Sequence, residues 1–388
     1  MLPKKARIIA LTASFSVIFA GCWDSLDINN RDICTAVIAD QERGAYSFYA
    51  EIANVTAKVQ QGGQNGGQGG GGDQGPATYI ARGHGESFAE TRLSIDNNIN
   101  KQIFLGAVQA LIITENMAKK GILQYAYRIR QSLDYRKTMD VLVTSDRPDN
   151  FFSVKPENSS TVGFAINYTL RSLERSGKTF HMSLDDLLQK LASKNPSYLL
   201  SSVSVKNGQI MLSGYSVFDG DKDIGFIPYE KAKGTIFLML GGGGKSKFDY
   251  PVMDGEESVT FEVSLKSMKI KADYSMGKVS FTLDMKFTAR LLYPSNAVRI
   301  TSEKLDKIRE KLKKQLESEI SEALFLSRAY YKCDYFSMSE AFRIAHPGAY
   351  KKMIWKDEFV KASFSTNIKV DLKKNYSIDY NPGKEWPY

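Results

Sequence analysis

Hydrophobic positions follow different periods in different parts of the chain. In the last third they alternate with polar ones: Val259, Phe261, Val263 and Leu265; then Val279, Phe281, Leu283, Met285, Phe287 and Ala289; then Val360, Ala362, Phe364, Thr366, Ile368, Val370 and Leu372. A period of two with one apolar face predicts half-buried antiparallel strands. Between the second and third sets, Leu305, Ile308, Leu312, Leu316, Ile320 and Leu324 step by three or four residues. That spacing predicts one helix over 302–326 with a single apolar stripe. Thr301 or Ser302 can cap it, and Glu303 suits its positive end. A one-faced sheet and a one-striped helix bury each other; a coiled coil is the competing reading of the stripe.

The first half alternates strands with helices. Residues 33–53 read as two strands joined at Glu42-Arg43-Gly44. Helical spacing follows over 88–99, a buried strand over 104–114, a helix over 118–133 and a short strand over 139–144. Ser183 with Asp186 three residues later makes a capping box for another helix, which Asn195-Pro196 ends. Two strands, 210–218 and 223–228, meet at Gly220-Asp221-Lys222, and an apolar strand over 235–240 leads into Gly241 to Gly244. The chain is expected to be α+β and multidomain, with mixed and antiparallel sheets. The 388 residues suit two or three domains. The expected units are an N-terminal α+β domain (22–197), a small β-rich middle domain (198–248) and a C-terminal α+β domain (249–388), in which an antiparallel sheet packs on the long helix. Residues 62–75 hold nine glycines in fourteen positions and read as a flexible insertion, an expanded surface loop or a mobile arm.

Composition adds little to this until the first 22 residues are considered. Hydrophobic residues make up 43% and charged residues 24%, ordinary values for a globular chain. Lys4, Lys5 and Arg7 precede a mostly apolar run from Ile8 to Ala20, too short for a membrane span, and Ala20-Gly21-Cys22 follows. Residues 1–21 thus read as a lipoprotein signal peptide. The Cys22 thiolate would take a diacylglycerol group, and the amino end freed by cleavage would be N-palmitoylated. An ordinary secretory signal with a coincidental cysteine is the alternative. Two acyl chains hold a protein stably on a membrane, whereas one is marginal. The formal charge of +9 includes the three basic residues of the leader. What remains is a weakly basic body that suits an anionic lipid surface, and no Arg/Lys stripe with interleaved aromatics points to nucleic acid. Trp23 is suited to the headgroup level, or is part of a linker.

Catalytic chemistry finds little support. Gly244-Lys245-Ser246 resembles the end of a phosphate-binding loop, but Met239 stands where the first glycine is required. His84, His181 and His346 have no metal-ligand spacing, and no Gly-x-Ser-x-Gly elbow is present. His84 reads as a loop residue. Asp185-Asp186 and Glu256-Glu257 are adjacent pairs, which do not face one another. No enzymatic activity, cofactor or metal is expected. Cys34 and Cys333 could pair, but their separation and the apolar setting of Cys34 favour buried thiols.

Cys22-Trp23-Asp24-Ser25-Leu26-Asp27-Ile28-Asn29 resembles the opening of the Ger(x)C family, the lipoprotein C subunits of nutrient germinant receptors in endospore-forming bacteria. Residues 33–40 look like its first strand. Residues 81–122 resemble its glycine–helix–strand block, ending in Ala118-Lys119-Lys120-Gly121, although Ala107 stands where that family often has His. Phe218-Asp219-Gly220-Asp221-Lys222 is similar to its Phe-x-Gly-Asp-Lys turn, and 258–263, the long helix and 341–350 are similar to its C-terminal part. The resemblance implies a non-catalytic, lipid-anchored, three-domain protein on the outer face of the spore inner membrane. Its partners would be an A subunit and a polytopic B subunit, and Trp23, Asp24 and Asn29 would be candidate membrane or partner contacts. A solute-binding lipoprotein of a transporter is the alternative, and a secreted cell-wall enzyme a third reading.

Overall fold

The computed structural model describes residues 31–54, 78–132, 134–157, 159–254, 257–294 and 302–373. Cys22, Trp23, Asp24, Asn29 and the glycine-rich insertion lie outside the described residues. Strand β1 (Arg31–Glu42) turns back into β2 (Ala45–Ala53), and β3 (Thr78–Gly85) continues antiparallel. Helix α1 (Phe88–Asp96), short β4 (Gln102–Phe104), a 3-10 turn (Leu105–Ala107) and β5 (Ala110–Thr114) follow. Then come α2 (Glu115–Lys120), α3 (Leu123–Gln131), β6 (Asp140–Thr144), α4 (Pro148–Phe152), α5 (Val162–Arg175) and α6 (Leu184–Leu191). Strands β7 (Ser197–Lys206), β8 (Gln209–Asp219) and β9 (Lys222–Pro228) form an antiparallel meander.

These strands make one nine-stranded mixed sheet, ordered β3-β2-β1-β5-β6-β7-β8-β9, with β4 beside β1. Strands β5 and β6 lie parallel to each other, and β1 and β7 flank them in parallel. Strands β7–β9 come from the segment expected as a middle domain, yet they pair into the same sheet as residues 31–144. Helices cover both faces, so the central strands are apolar on both sides and read as continuous runs. Ile38, Ile112, Leu142 and Leu199 point to the face covered by α5. Val37, Leu111, Ile113 and Val141 point to the face covered by α1, α2, α3 and α6.

Helix α7 (Lys233–Leu240) corrects one expectation, since the apolar run over 235–240 predicts a strand. Apolar residues on all sides cannot discriminate a short buried helix from a buried strand. The helix occupies the space between the two sheets, with Ile236 and Phe237 fully buried. The second sheet, β10 (Lys247–Asp254), β11 (Glu257–Ser275), β12 (Lys278–Pro294) and β13 (Ser363–Lys373), is antiparallel except at its end. There β13 pairs parallel to β12, from Ser280↔Ser363 to Arg290↔Lys373. Alternation reports which face is buried but not strand direction, so the antiparallel expectation fails for that strand. Direction follows from the crossover: α8 (Ser302–Phe325), a π turn (Leu326–Tyr330), α9 (Met338–Ala345), α10 (Pro347–Tyr350) and α11 (Trp355–Lys361) carry the chain back to the same end. Along α8, Ile308, Leu312, Leu316 and Ile320 are fully buried against the sheet, as the stripe predicts.

The remaining local differences have simple causes. The helix expected over 118–133 is broken at Gly121, whose φ of 121° is outside the helical range. His84 lies in β3, not in a loop, and its Nδ1 is 3.0 Å from the Ser47 hydroxyl on β2. Cys34 and Cys333 are both free and buried. Helix α7 packs against α8 so closely that a Cβ on Gly234 would stand 2.1 Å from the Glu319 carbonyl oxygen. Gly234→Ala should therefore lower stability by about 1–3 kcal/mol through overpacking. Urea unfolding should show a lower midpoint at unchanged slope; an unchanged midpoint would mean that the two helices have slack between them.

Candidate functional site

The buried ionisable groups are engaged in holding elements together. Glu51 on β2 is 1% exposed and sits at the start of α5. It accepts from the Thr35 hydroxyl (2.6 Å) and from the backbone N–H groups of Val162 (2.7 Å) and Gly163 (2.9 Å). A carboxylate suits the positive end of a helix, and Gly163 lets α5 approach β1: a Cβ there would meet the Thr35 carbonyl oxygen at 2.1 Å. Burial raises the Glu51 carboxyl, and its three donors oppose the rise. Asp140, fully buried, accepts from Arg171 Nη2 (3.0 Å) and Asn167 Nδ2 (3.0 Å). The same guanidinium reaches Glu174 (3.0 Å), and His181 Nδ1 lies 3.0 Å from Glu174. Arginine occupies the centre of this cluster, so it is an ion-pair network with no nucleophile beside its histidine. Among the described residues no group of three His, Cys, Asp or Glu side chains is placed to hold a metal.

Two motifs from separate parts of the sequence meet at one contact. The turn at Asp221 caps the start of α3: Ile122 N–H donates to the Asp221 carbonyl (2.9 Å) and Leu123 N–H to its carboxylate (3.3 Å). Gly121 is required there, because a Cβ would stand 2.5 Å from Asp221 Oδ2. The Ala118-to-Gly121 block and the Phe218-to-Lys222 turn are therefore halves of one structural joint. The glycines after α7 are likewise structural. Gly243 and Gly244 donate their amides to the Lys266 and Leu265 carbonyls (2.8 and 2.9 Å), so these amides are not available to a phosphate.

A hollow lies in the core of the first sheet. It lies over β1 and β2, between α1 and α3, with a volume of about 90 Å³. Phe48, Phe88 and Tyr125 form its aromatic wall, with ring centroids 5.1–5.9 Å apart. Arg92, Arg128 and Asp134 line the opening. Arg128 and Asp134 are exposed, and Tyr125 is buried. Sequence reading missed all of these groups: Arg128 and Asp134 look like any solvated charges, and the hollow depends on how two helices cross the sheet. Glu51 did carry a signal, a lone acid in an otherwise apolar strand.

The C-terminal block 341–350 is held by a third buried acid. Asp334 accepts from the N–H groups of Met338 (2.8 Å) and Ser339 (2.7 Å) and from Trp355 Nε1 (2.9 Å). It thereby fixes α9 and α11 to one point.

Comparison with known proteins agrees with this architecture. Residues 24–205 match the model for the spore germination protein N-terminal domain, and residues 213–376 match that for the spore germination B3/GerAC-like C-terminal domain. Spore germination protein KC of Bacillus subtilis (strain 168) is 20% identical over 96% of this chain and 95% of its own length. Spore germination protein YndF of the same organism is 20% identical over 96% of this chain and 97% of its own. The crystal structure of the GerBC protein shares the fold, with a TM-score of 0.53 at 16% identity, covering 87% of this chain and 97% of that one. In class, then, this is a spore germination protein. The chain belongs to the Ger(x)C family, the C-subunit family of germinant receptors. The named relatives give no support to the solute-binding alternative.

Asp334 yields a pH dependence. Burial drives its carboxyl up and three donors hold it down, leaving it at about 6, against 3.8 for the free group. A raised carboxyl pKa gives stability that is fully present below the unfolded value and is lost as pH rises through the folded one. Urea midpoints followed from pH 4 to 6.5 should therefore fall more steeply with pH in the parent than in Asp334→Asn, which lacks this titration. Parallel curves would show that Asp334 ionises as freely folded as unfolded.

Proposed function

We propose that this chain is the lipid-anchored, non-catalytic C subunit of a nutrient germinant receptor. It is seated on the outer face of the spore inner membrane and docks on the A and B membrane subunits. The observation that carries the reading is one of order. A lipobox ends at Cys22, the family's N-terminal domain begins at residue 24, and its C-terminal domain runs to residue 376. Anchoring there would restrict the body: eight residues separate Cys22 from Arg31, a reach of about 30 Å fully extended. The first sheet would stand within that distance of the lipid, with Trp23, Asp24 and Asn29 on the tether to meet headgroups or a partner. The chemistry of the body agrees with a role through contact, since Glu51, Asp140 and Asp334 are saturated by donors that fix the fold.

Cys22→Ala tests this reading. In spores carrying it, the protein should leave the membrane fraction for the soluble one. Nutrient-triggered germination should fall steeply, with the levels of the other receptor subunits monitored alongside. A variant that still takes up a lipid label, or spores that respond to nutrients as before, would contradict the assignment.

A further inference from the structure

Three hairpins turn through two residues that both have positive φ, the geometry of the tightest β-hairpins. They are Arg43-Gly44 between β1 and β2, Asn207-Gly208 between β7 and β8, and Met276-Gly277 between β11 and β12. The first residue of such a turn lies in the left-handed region, where glycine, asparagine or aspartate fits best and other side chains are strained. Arginine and asparagine are at least polar there. Met276, at φ 50°, is 97% exposed, so no packing within the body offsets its backbone strain or covers its apolar surface.

Other exposed apolar groups stand around this tip. Tyr274, at the end of β11, packs its ring on Phe342 of α9 at 5.9 Å, and His346 Nε2 is 3.2 Å from the Ala272 carbonyl oxygen. Ile344, two residues after Phe342, is 74% exposed. Ile354, which precedes the Trp355 that meets Phe342 at 5.3 Å, is 72% exposed. Lys278, Lys351 and Lys352 are exposed in the same segments, and Lys194 and Lys332 at the joint with the first sheet. Glu340, Glu358 and Asp219 are taken by Arg343, Lys361 and Lys356. Exposed Asp273 and Asp357 are left against those five lysines.

Topology puts this face at the end of the body where the chain enters. Strands β1, β5, β6 and β7 run parallel, so Arg31 and Ser197 start at one end of the first sheet. Ser197 pairs with Asp219, and Asp219 binds Lys356 of α11, which leads into β13 beside the start of β12. The Met276 hairpin immediately precedes β12 and so lies at that end. The two polar turns, after β1 and after β7, lie at the opposite end.

We propose that this face rests on the bilayer, with Met276, Ile344 and Ile354 entering the headgroup layer of an anionic phospholipid membrane and the lysines staying among its phosphates. The proposal deepens the receptor reading and rests on anchoring at Cys22, since it says which end of an anchored body meets the lipid. Separate apolar side chains set between lysines suit a bilayer, which needs no matching shape. A protein partner would need a packed, complementary patch.

Spin labelling of the full lipidated chain on vesicles tests this orientation. Cys34 and Cys333 are buried, so a nitroxide goes to an introduced cysteine. Ser275→Cys labels the tip and keeps Met276; Lys206→Cys labels the equivalent position of a polar turn at the other end. On vesicles containing phosphatidylglycerol, the tip label should gain contact with oxygen and lose contact with a water-soluble nickel chelate, at a depth of about 5 Å or more in the headgroup layer. The Lys206 label should stay in water. Adding Met276→Asn should return the tip label toward water, with a urea midpoint at or above the parent's because asparagine suits the turn. A tip label as accessible to water as the Lys206 label would overturn the proposal and leave the face to a protein partner. Depth unchanged by Met276→Asn, or equal on vesicles of phosphatidylcholine alone, would overturn it too. A chain that does not float with the vesicles contradicts anchoring and docking together, whereas a floating chain with its tip in water contradicts docking alone.

Discussion

The approach of α7 to α8 is the contact on which the two halves of the body depend. Only glycine fits at position 234, because the Glu319 carbonyl of the facing helix stands where a side chain would begin. Around that point, Tyr250 donates its hydroxyl to the Glu319 carboxylate and Lys233 lies 4.5 Å above the Tyr250 ring. Phe237 reaches Phe248 at 5.3 Å and Phe287 at 5.1 Å in the second sheet. The same cluster takes in Ile236 and the apolar face of the first sheet, so one continuous core runs from Ile38 to Val370. A buried aromatic cluster of this kind contributes both area and ring-edge contacts. Two sheets that could have folded as separate units thereby share one apolar core.

That arrangement bears on how such a subunit could act. Interfaces and packed cores shift between discrete arrangements and do not deform continuously. A body with one core passes a displacement at one end to the other, whereas two loosely tethered domains would absorb it. Carboxylates at the joints reinforce the same rigidity: buried Glu51 binds α5 to β1 and β2, half-buried Asp221 binds the β8–β9 turn to α3, and buried Asp334 binds α9 to α11.

Much of this fold was legible in the sequence where burial is one-sided. The second sheet and α8 follow from period two and from the stripe ending at Leu324, and the Ser183–Asp186 capping box is formed as its spacing predicts. Legibility failed where both sides are buried. Residues 236–240 are apolar throughout, so the run carries no period and does not separate a helix from a strand. Strand β13 shows a second limit, because alternation along 363–373 is the same in either direction of pairing. Helix α5 was passed over, although it anchors the Glu51 joint, since its start is fixed by a carboxylate more than a hundred residues away. The hollow was invisible for a related reason: Tyr125, Arg128 and Asp134 come together only when α1 and α3 are laid over the same two strands.

Native-state hydrogen exchange tests the shared core most directly. It would compare the amides of β5 and β6 in the first sheet with those of β11 and β12 in the second. The account predicts that the slowest amides of both sheets open with the same free energy and lose protection together as denaturant is added. If one sheet lost protection at an opening energy lower by about 2 kcal/mol or more while the other stayed closed, the halves would be independent units, and the α7–α8 contact would not be what joins them.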